Sequence, residues 1–226
     1  TFDEACMAVD AGADAIGFII GTRYFSEDEL LPAQAMRITR QLETIGRLNG
    51  VFPVLVTHLK DIAEISHLVK ILKFKYVQLH NNISFEQVKK LRNELPHIKF
   101  IKAVHGNGAD PVGLAVQYEK VVDAIVVDTV SKTKNMVRIG GTGKIHDWNV
   151  TAKIVQAVDI PIILAGGLNP ENLQDAIKQV NPYGVDVNSG VEDRRGNKVA
   201  GSVWQFVGMA KGLLDTKNQM RIMETA

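Results

Sequence analysis

Ile160-Pro161-Ile162-Ile163-Leu164-Ala165-Gly166-Gly167-Leu168-Asn169-Pro170-Glu171 is the stretch that decides the fold. Its first half, Ile160–Ala165, is a continuous apolar run of strand length rather than an alternating one, as expected of a parallel strand buried on both faces. Two glycines end the run. Asn169-Pro170-Glu171 then reads as a helix start: a cap, Pro at the first helical position and an acid in the first turn. Strand, glycine turn and helix make one βα unit.

Outward from this unit the same pattern repeats. Apolar runs rich in Val and Ile occur at Ala15–Ile20, Pro53–Thr57, Tyr76–His80, Phe100–His105, Ala124–Asp128 and Gly184–Asn188. Helices fill the intervals with readable starts. Thr1 with Glu4, Asp61 with Glu64 and Ser84 with Gln87 have capping-box spacing, and Gly12 is placed to end the first helix. Repeated βα units leave an open doubly wound sheet or a TIM (β/α)8 barrel. The open sheet lacks its motif, because no strand is followed by G-x-G-x-x-G; Gly106-Asn107-Gly108 runs on to Pro111, where the last Gly should stand. Nor is Gly140-Gly141-Thr142-Gly143-Lys144 a P-loop, since Arg138 and Ile145 occupy positions that need Gly and Ser or Thr. The expected fold is therefore an α/β TIM barrel. With seven runs and a helix cap at Thr1, the barrel is expected to be N-terminally truncated, its first strand lying upstream and its fragment folding poorly alone. Residues 1–214 are expected to form one barrel domain, and 215–226 a frayed helical tail.

Composition excludes several functions. Among 226 residues, 26 Lys and Arg balance 25 Asp and Glu, so no broad basic field exists to hold nucleic acid or an anionic membrane. The single Cys6 excludes an internal disulfide and a cysteine metal cluster, which fits a reducing cytoplasm. No apolar run reaches membrane-spanning length. The expected partner is a small molecule, and any anion on it must be caught locally.

TIM-barrel sites lie at the C-terminal ends of the strands. Those ends carry His58, His80, His105, Asp128 with Thr129, Gly166-Gly167 and Asn188-Ser189-Gly190. Glycine lets backbone approach a ligand closely, and helix N-termini favour phosphate. Gly166-Gly167 and Ser189-Gly190 read either as tight turns or as a phosphate site; a matching pair at the last two strands favours phosphate. Asp128 ends the run Ala124-Ile125-Val126-Val127. Half buried at a rim, its carboxyl would have a pKa raised enough to donate a proton. A structural Asp that caps a loop or pairs with a cation such as Lys102 is an equal reading.

Six segments together resemble the phosphoribosylanthranilate isomerase family, in the family's order. They are Ala11-Gly12-Ala13-Asp14-Ala15-Ile16-Gly17-Phe18, Arg23-Tyr24-Phe25-Ser26, Val77-Gln78-Leu79-His80, Gly140-Gly141-Thr142-Gly143-Lys144, residues 163–172 and residues 183–192. The resemblance implies an Amadori rearrangement in tryptophan biosynthesis, taking N-(5-phosphoribosyl)anthranilate to 1-(2-carboxyphenylamino)-1-deoxyribulose 5-phosphate, an aldose–ketose isomerisation. It implies Asp128 as general acid and Arg23 on the anthranilate carboxylate, with His80 also at the substrate. Gly141, Thr142 and Gly143 would lie in a loop over the substrate, Asp186 would orient the sugar, and Gly166, Gly167, Ser189 and Gly190 would hold the phosphate. No metal or organic cofactor is implied, and assembly is read as monomer or homodimer.

The family's general base is a Cys in a Lys-x-Cys-Gly-x-Thr segment, which would fall just before Thr1. Cys6, inside the first helix, is a packing residue. Three further positions depart from the family: His80 is followed by Asn81-Asn82 instead of Gly, and His58 and His105 end strands where Asn- or Arg-type residues are usual. A lone strand-end histidine is usually a rim residue, but three neighbours raise the case for a base, a phosphate partner or a metal site. His105 and His58 are thus alternative bases. The other readings are a divergent barrel with a different sugar phosphate and a phosphometabolite binder that turns nothing over.

Overall fold

The computed structural model describes residues 1–22, 28–133, 136–139 and 147–224. In chain order they form α1 (Phe2–Asp10), β1 (Ala15–Ile19), α2 (Pro32–Thr44), β2 (Phe52–Thr57), α3 (Ile62–Leu72), β3 (Tyr76–Leu79) and α4 (Phe85–Glu94). There follow β4 (Lys99–His105), α5 (Pro111–Tyr118), β5 (Ala124–Asp128), β6 (Val130–Thr133), β7 (Met136–Ile139) and α6 (Trp148–Ala157). The chain ends with β8 (Ile162–Leu164), α7 (Leu173–Val180), β9 (Gly184–Val185), a 3-10 turn (Ser189–Val191) and α8 (Ala200–Glu224). One seven-stranded sheet has the order β1-β2-β3-β4-β5-β8-β9, and β6 and β7 form a separate antiparallel pair. Each of the seven apolar runs thus holds a strand of the main sheet. Among the described residues no helix is long and apolar enough to cross a membrane.

Two compact units divide the chain: Thr1–Ala103 with Gln117–Ile125, and Val104–Val116 with Val126–Ala226. In the first, β1, β2, β3 and β4 pair in parallel, with Gly17 opposite Val54, Val56 opposite Gln78, and Leu79 opposite Lys102. Thr1 and Ser84 make the expected capping boxes with Glu4 and Gln87, and the Asp61 side chain accepts from the Glu64 N–H. Leu42, Leu55, Ile65, Val77, Leu91 and Phe100 are wholly buried, each burial stabilising by about 1.5–3 kcal/mol. The end strand β1 departs from the expected two-sided burial, since Ala15 and Gly17 are exposed. Cys6 is buried on α1, as a packing residue should be.

A polar knot locks α4 to β4 in this unit. Arg92 donates to the carbonyls of Ile98 (3.0 Å) and Val121 (3.3 Å) and to the Asp123 carboxylate. Asp123 also accepts from Lys99 Nζ (3.0 Å) and the Phe100 N–H (2.9 Å). Burial pushes the Asp123 carboxyl up, but these donors outweigh it and hold it below the ordinary carboxylate value.

In the second unit β8 pairs in parallel with β9, Ile163 opposite Gly184 and Leu164 opposite Val185. Helix α7 packs between α6 and α8. Two boundaries differ from the expectation. Helix α7 is regular only from Leu173, although Asn169 does act as the expected cap: Asn169 and Asn172 each accept the other's N–H through the side-chain oxygen at 3.0 Å, and the Leu173 N–H donates to the Asn169 carbonyl at 3.1 Å. That closes a turn before the helix. The last strand is two residues long, so Asp186 and Asn188 lie beyond it.

Candidate active site

Asp128 is the last residue of β5 and is 7% exposed. Its Oδ1 accepts the N–H of Thr129 at 2.6 Å, and its carbonyl accepts the Gly106 N–H at 2.9 Å. The Ala165 N–H donates to the Val127 carbonyl (2.8 Å), which carries the chain to Gly166 beside the carboxylate. A Cβ on Gly166 would stand 2.8 Å from Asp128 Oδ1 and 2.8 Å from the Thr129 nitrogen, and the residue has φ +83°. Only glycine fits there. Gly167 follows at φ 70°, and its carbonyl is held by Asn172 Nδ2 at 2.9 Å.

The second glycine turn belongs to the same cleft. Asp186, exposed, is fixed through its N–H to the Leu164 carbonyl (2.9 Å), and Ser189 and Gly190 begin the 3-10 turn. Asp128, residues 165–168 and residues 186–190 line one narrow cleft. A carboxylate and two backbone turns of small residues there can bind an anion by N–H groups and exchange a proton beside it. A wider groove lies between α1 and α2, lined by Phe2, Met36, Arg37, Arg40 and Ile45. Its lining comes from α1, α2 and the residue after α2, and its charged members, Arg37 and Arg40, are permanently protonated and exchange no proton.

In the first unit His58 and His80, both buried, have ring centroids 4.9 Å apart. Gln78 Nε2 lies 3.0 Å from His80 Nδ1, so donation by the amide leaves the imidazole proton on Nε2. Glu29 closes onto Thr22: its carboxylate accepts the Thr22 N–H at 2.8 Å and the Thr22 hydroxyl. Burial pushes the Glu29 carboxyl up, yet the Thr22 and Gly21 hydrogen bonds and the charge of His58 bring it below its ordinary value. His105 ends β4, and its carbonyl accepts the Gly108 N–H at 2.9 Å. Among the described residues no three or more His, Cys, Asp or Glu side chains gather as a metal site. Arg23, Gly141, Thr142 and Gly143 lie outside the described residues.

Sequence reading offered Lys102 only as a partner for Asp128 and did not single out Lys198. Lys102 stands on the strand face of Phe100, whose ring takes the Arg92 guanidinium of α4 at 5.4 Å, so it faces the helix layer rather than the sheet's other side. Its ammonium reaches the carbonyls of Asn81 (2.6 Å), Ala103 (2.6 Å) and Leu79 (3.5 Å) and lies 5.3 Å from the Tyr118 ring centroid. Burial pushes the Lys102 amine down to about 7. The other is Lys198, which bonds to Asn188 and Glu192 beside the second glycine turn. No motif marks either one, because both act on carbonyls or side chains set by the fold.

Parallel βα units with a carboxylate and two glycine turns at the strand ends define an α/β enzyme of the TIM-barrel class. The model of the N-(5'-phosphoribosyl)anthranilate isomerase family matches residues 5–208. The chain belongs to this family, an isomerase family of tryptophan biosynthesis. N-(5'-phosphoribosyl)anthranilate isomerase 2 of Methanosarcina mazei is 41% identical over 92% of this chain and 89% of its own length. The isomerase of Methanocella arvoryzae is 36% identical over 92% of each chain. Among solved structures, the Thermotoga maritima enzyme matches with a TM-score of 0.78 at 31% identity, covering 94% of this chain and 95% of its own. A phosphoribosyl anthranilate isomerase in complex with reduced 1-(o-carboxyphenylamino)-1-deoxyribulose 5-phosphate matches at 0.75 and 30%, with 94% of each chain covered.

Proposed function

We propose that this chain performs the family's Amadori rearrangement with Asp128 as the general acid and the two glycine turns as the phosphate cradle. One observation carries the reading: the buried Asp128 carboxylate and both turns line the same cleft. Asp128 in its acid form protonates the ribose ring oxygen, the C1–O bond breaks, and the anthranilate nitrogen becomes an iminium. A base then takes the C2 proton, the electron pair neutralises the iminium, and the resulting enol-amine rearranges to the ketone. His105 and His58 are alternative bases at strand ends; a loss of turnover in H105N or H58N would identify one of them, and unchanged turnover in both would exclude both.

The substrate phosphate sits against Gly166, Gly167, Ser189 and Gly190, where backbone can come close enough to donate. Asp186 orients the sugar. Arg23 meets the anthranilate carboxylate, His80 donates to the substrate, and residues 141–143 cover it; these last assignments rest on the family resemblance. The protein works on a small molecule in the cytoplasm, as a monomer or homodimer.

Asp128→Asn tests the reading. It keeps shape and hydrogen bonding but cannot act as an acid, so kcat should fall by about 10² or more while KM stays within a fewfold. An unchanged kcat would exclude Asp128 as the acid.

A further inference from the structure

Lys198 lies outside the cleft, yet it holds one of the cleft's walls. Its ammonium is within 3.2 Å of the Asn188 carbonyl and also bonds the Asn188 side-chain oxygen and the Glu192 carboxylate. Asn188 and Glu192 flank the 3-10 turn that carries Ser189 and Gly190. An ammonium has three N–H donors, and these three acceptors engage all of them. Lys198 therefore acts on the turn and is not itself a phosphate ligand.

The rest of the segment supports the same reading. Glu192 and Lys198 stand opposite each other in an antiparallel bridge, and the Val199 N–H donates to the Val191 carbonyl at 2.8 Å. Beyond them the chain turns on Asp193, whose Oδ1 accepts from the Arg195 N–H (2.8 Å) and the Asn197 N–H (3.0 Å). This closes a small loop with the Ser189–Val191 turn at its base. The Lys198 and Glu192 side chains are only 22% and 12% exposed, so their charge-assisted bonds escape most of the solvent screening that weakens surface pairs. Gly190, inside the clasped turn, rests directly on the Leu168 carbonyl, which ties the turn to the other glycine pair.

We propose that Lys198 is a positioning residue for phosphate binding: by clasping Asn188 to Glu192 it fixes the Ser189–Gly190 backbone against Leu168. The proposal rests on the reading of the two turns as a phosphate cradle. Its loss weakens ground-state and transition-state binding alike, because the phosphate is remote from the bonds that change.

The test is titration calorimetry of the full chain with inorganic phosphate, alongside kcat and KM, for wild type, Lys198→Met, Lys198→Arg and Glu192→Gln. In K198M the phosphate Kd and the KM should both rise about tenfold, the scale of one charge-assisted hydrogen bond, with kcat within about threefold. K198R, which keeps the charge and donors, should recover part of both constants. E192Q should shift both in the same direction by less, and it keeps the test alive if K198M folds poorly. Wild-type binding with the same Kd in K198M or E192Q would overturn the clasp alone. A fall in kcat at constant KM would overturn it too. Absence of phosphate binding in the wild type would overturn the cradle and, with it, the clasp.

Discussion

Gly190 is packed on the backbone of Leu168 so closely that a Cβ would lie 1.7 Å from the Leu168 carbonyl oxygen. Carbon and oxygen cannot approach to half their contact distance, so no other residue fits without separating the two glycine turns. Gly190→Ala should therefore raise KM by more than about tenfold and lower stability by about 2 kcal/mol, the usual scale of overpacking. Urea denaturation and steady-state kinetics check it; wild-type values for both would show that the turns are not locked together.

Gly166→Ala fails for a different reason. The new methyl would sit 2.8 Å from Asp128 Oδ1 on a residue with φ +83°. Either the carboxylate or the turn must move, and a displacement of about 1 Å at a reacting group costs on the order of 10² in rate. A fall of kcat on that order, larger than the change in KM, is expected. Wild-type turnover would mean that the carboxylate position does not matter.

Lys102 predicts an unusual pH dependence. Its folded-state amine titrates near 7 through burial, against 10.5 ordinarily. Below 7 both states hold the proton; between the two values the unfolded chain holds it and the folded chain does not. Stability should therefore rise with pH in that window, by at most about 1.4 kcal/mol per unit. Lys102→Met, similar in length and uncharged, should lack that rise when urea curves from about pH 7 to about pH 9 are compared with wild type. Parallel curves for the two proteins would refute it.

Asp123→Asn should destabilise at neutral pH by about 1 kcal/mol, because the half-buried Arg92 loses its carboxylate partner while solvent screens part of the pair. The folded carboxyl lies below the ordinary 3.8, so its contribution is present above that value and disappears as pH falls through the folded one. D123N should accordingly show a flatter acid limb in denaturation, with activity per folded molecule unchanged. An acid limb as steep as wild type would show that other carboxylates set it.

The parts legible in advance are those that local chemistry fixes. The reciprocal bonds of Thr1 with Glu4 and Ser84 with Gln87 lie within one helical turn, so spacing alone announces them. Asn169 was legible for the same local reason: it caps the turn it was expected to cap, bonded reciprocally to Asn172, and only the regular part of the helix starts later, at Leu173. The hairpin of β6 and β7 has no counterpart among the expected apolar runs. Neither Val130-Ser131-Lys132-Thr133 nor Met136-Val137-Arg138-Ile139 is a continuous apolar run or a strict alternation, so local pattern does not announce the pair.

By itself the sequence determined the class of fold, the position of every main-sheet strand, the two glycine turns and the carboxylate between them, because strand periodicity, caps and glycine turns are written in neighbouring residues. Tertiary structure decided how those pieces bear on one another. Gly190 meets Leu168, Gly166 meets Asp128, Lys102 reaches back to the carbonyls of Leu79 and Asn81, and Lys198 clasps Asn188 to Glu192. Each depends on a backbone atom or side chain delivered from another segment, and a hydrogen bond or a steric contact is decided within a few tenths of an ångström. Residue spacing carries no such information; packing does.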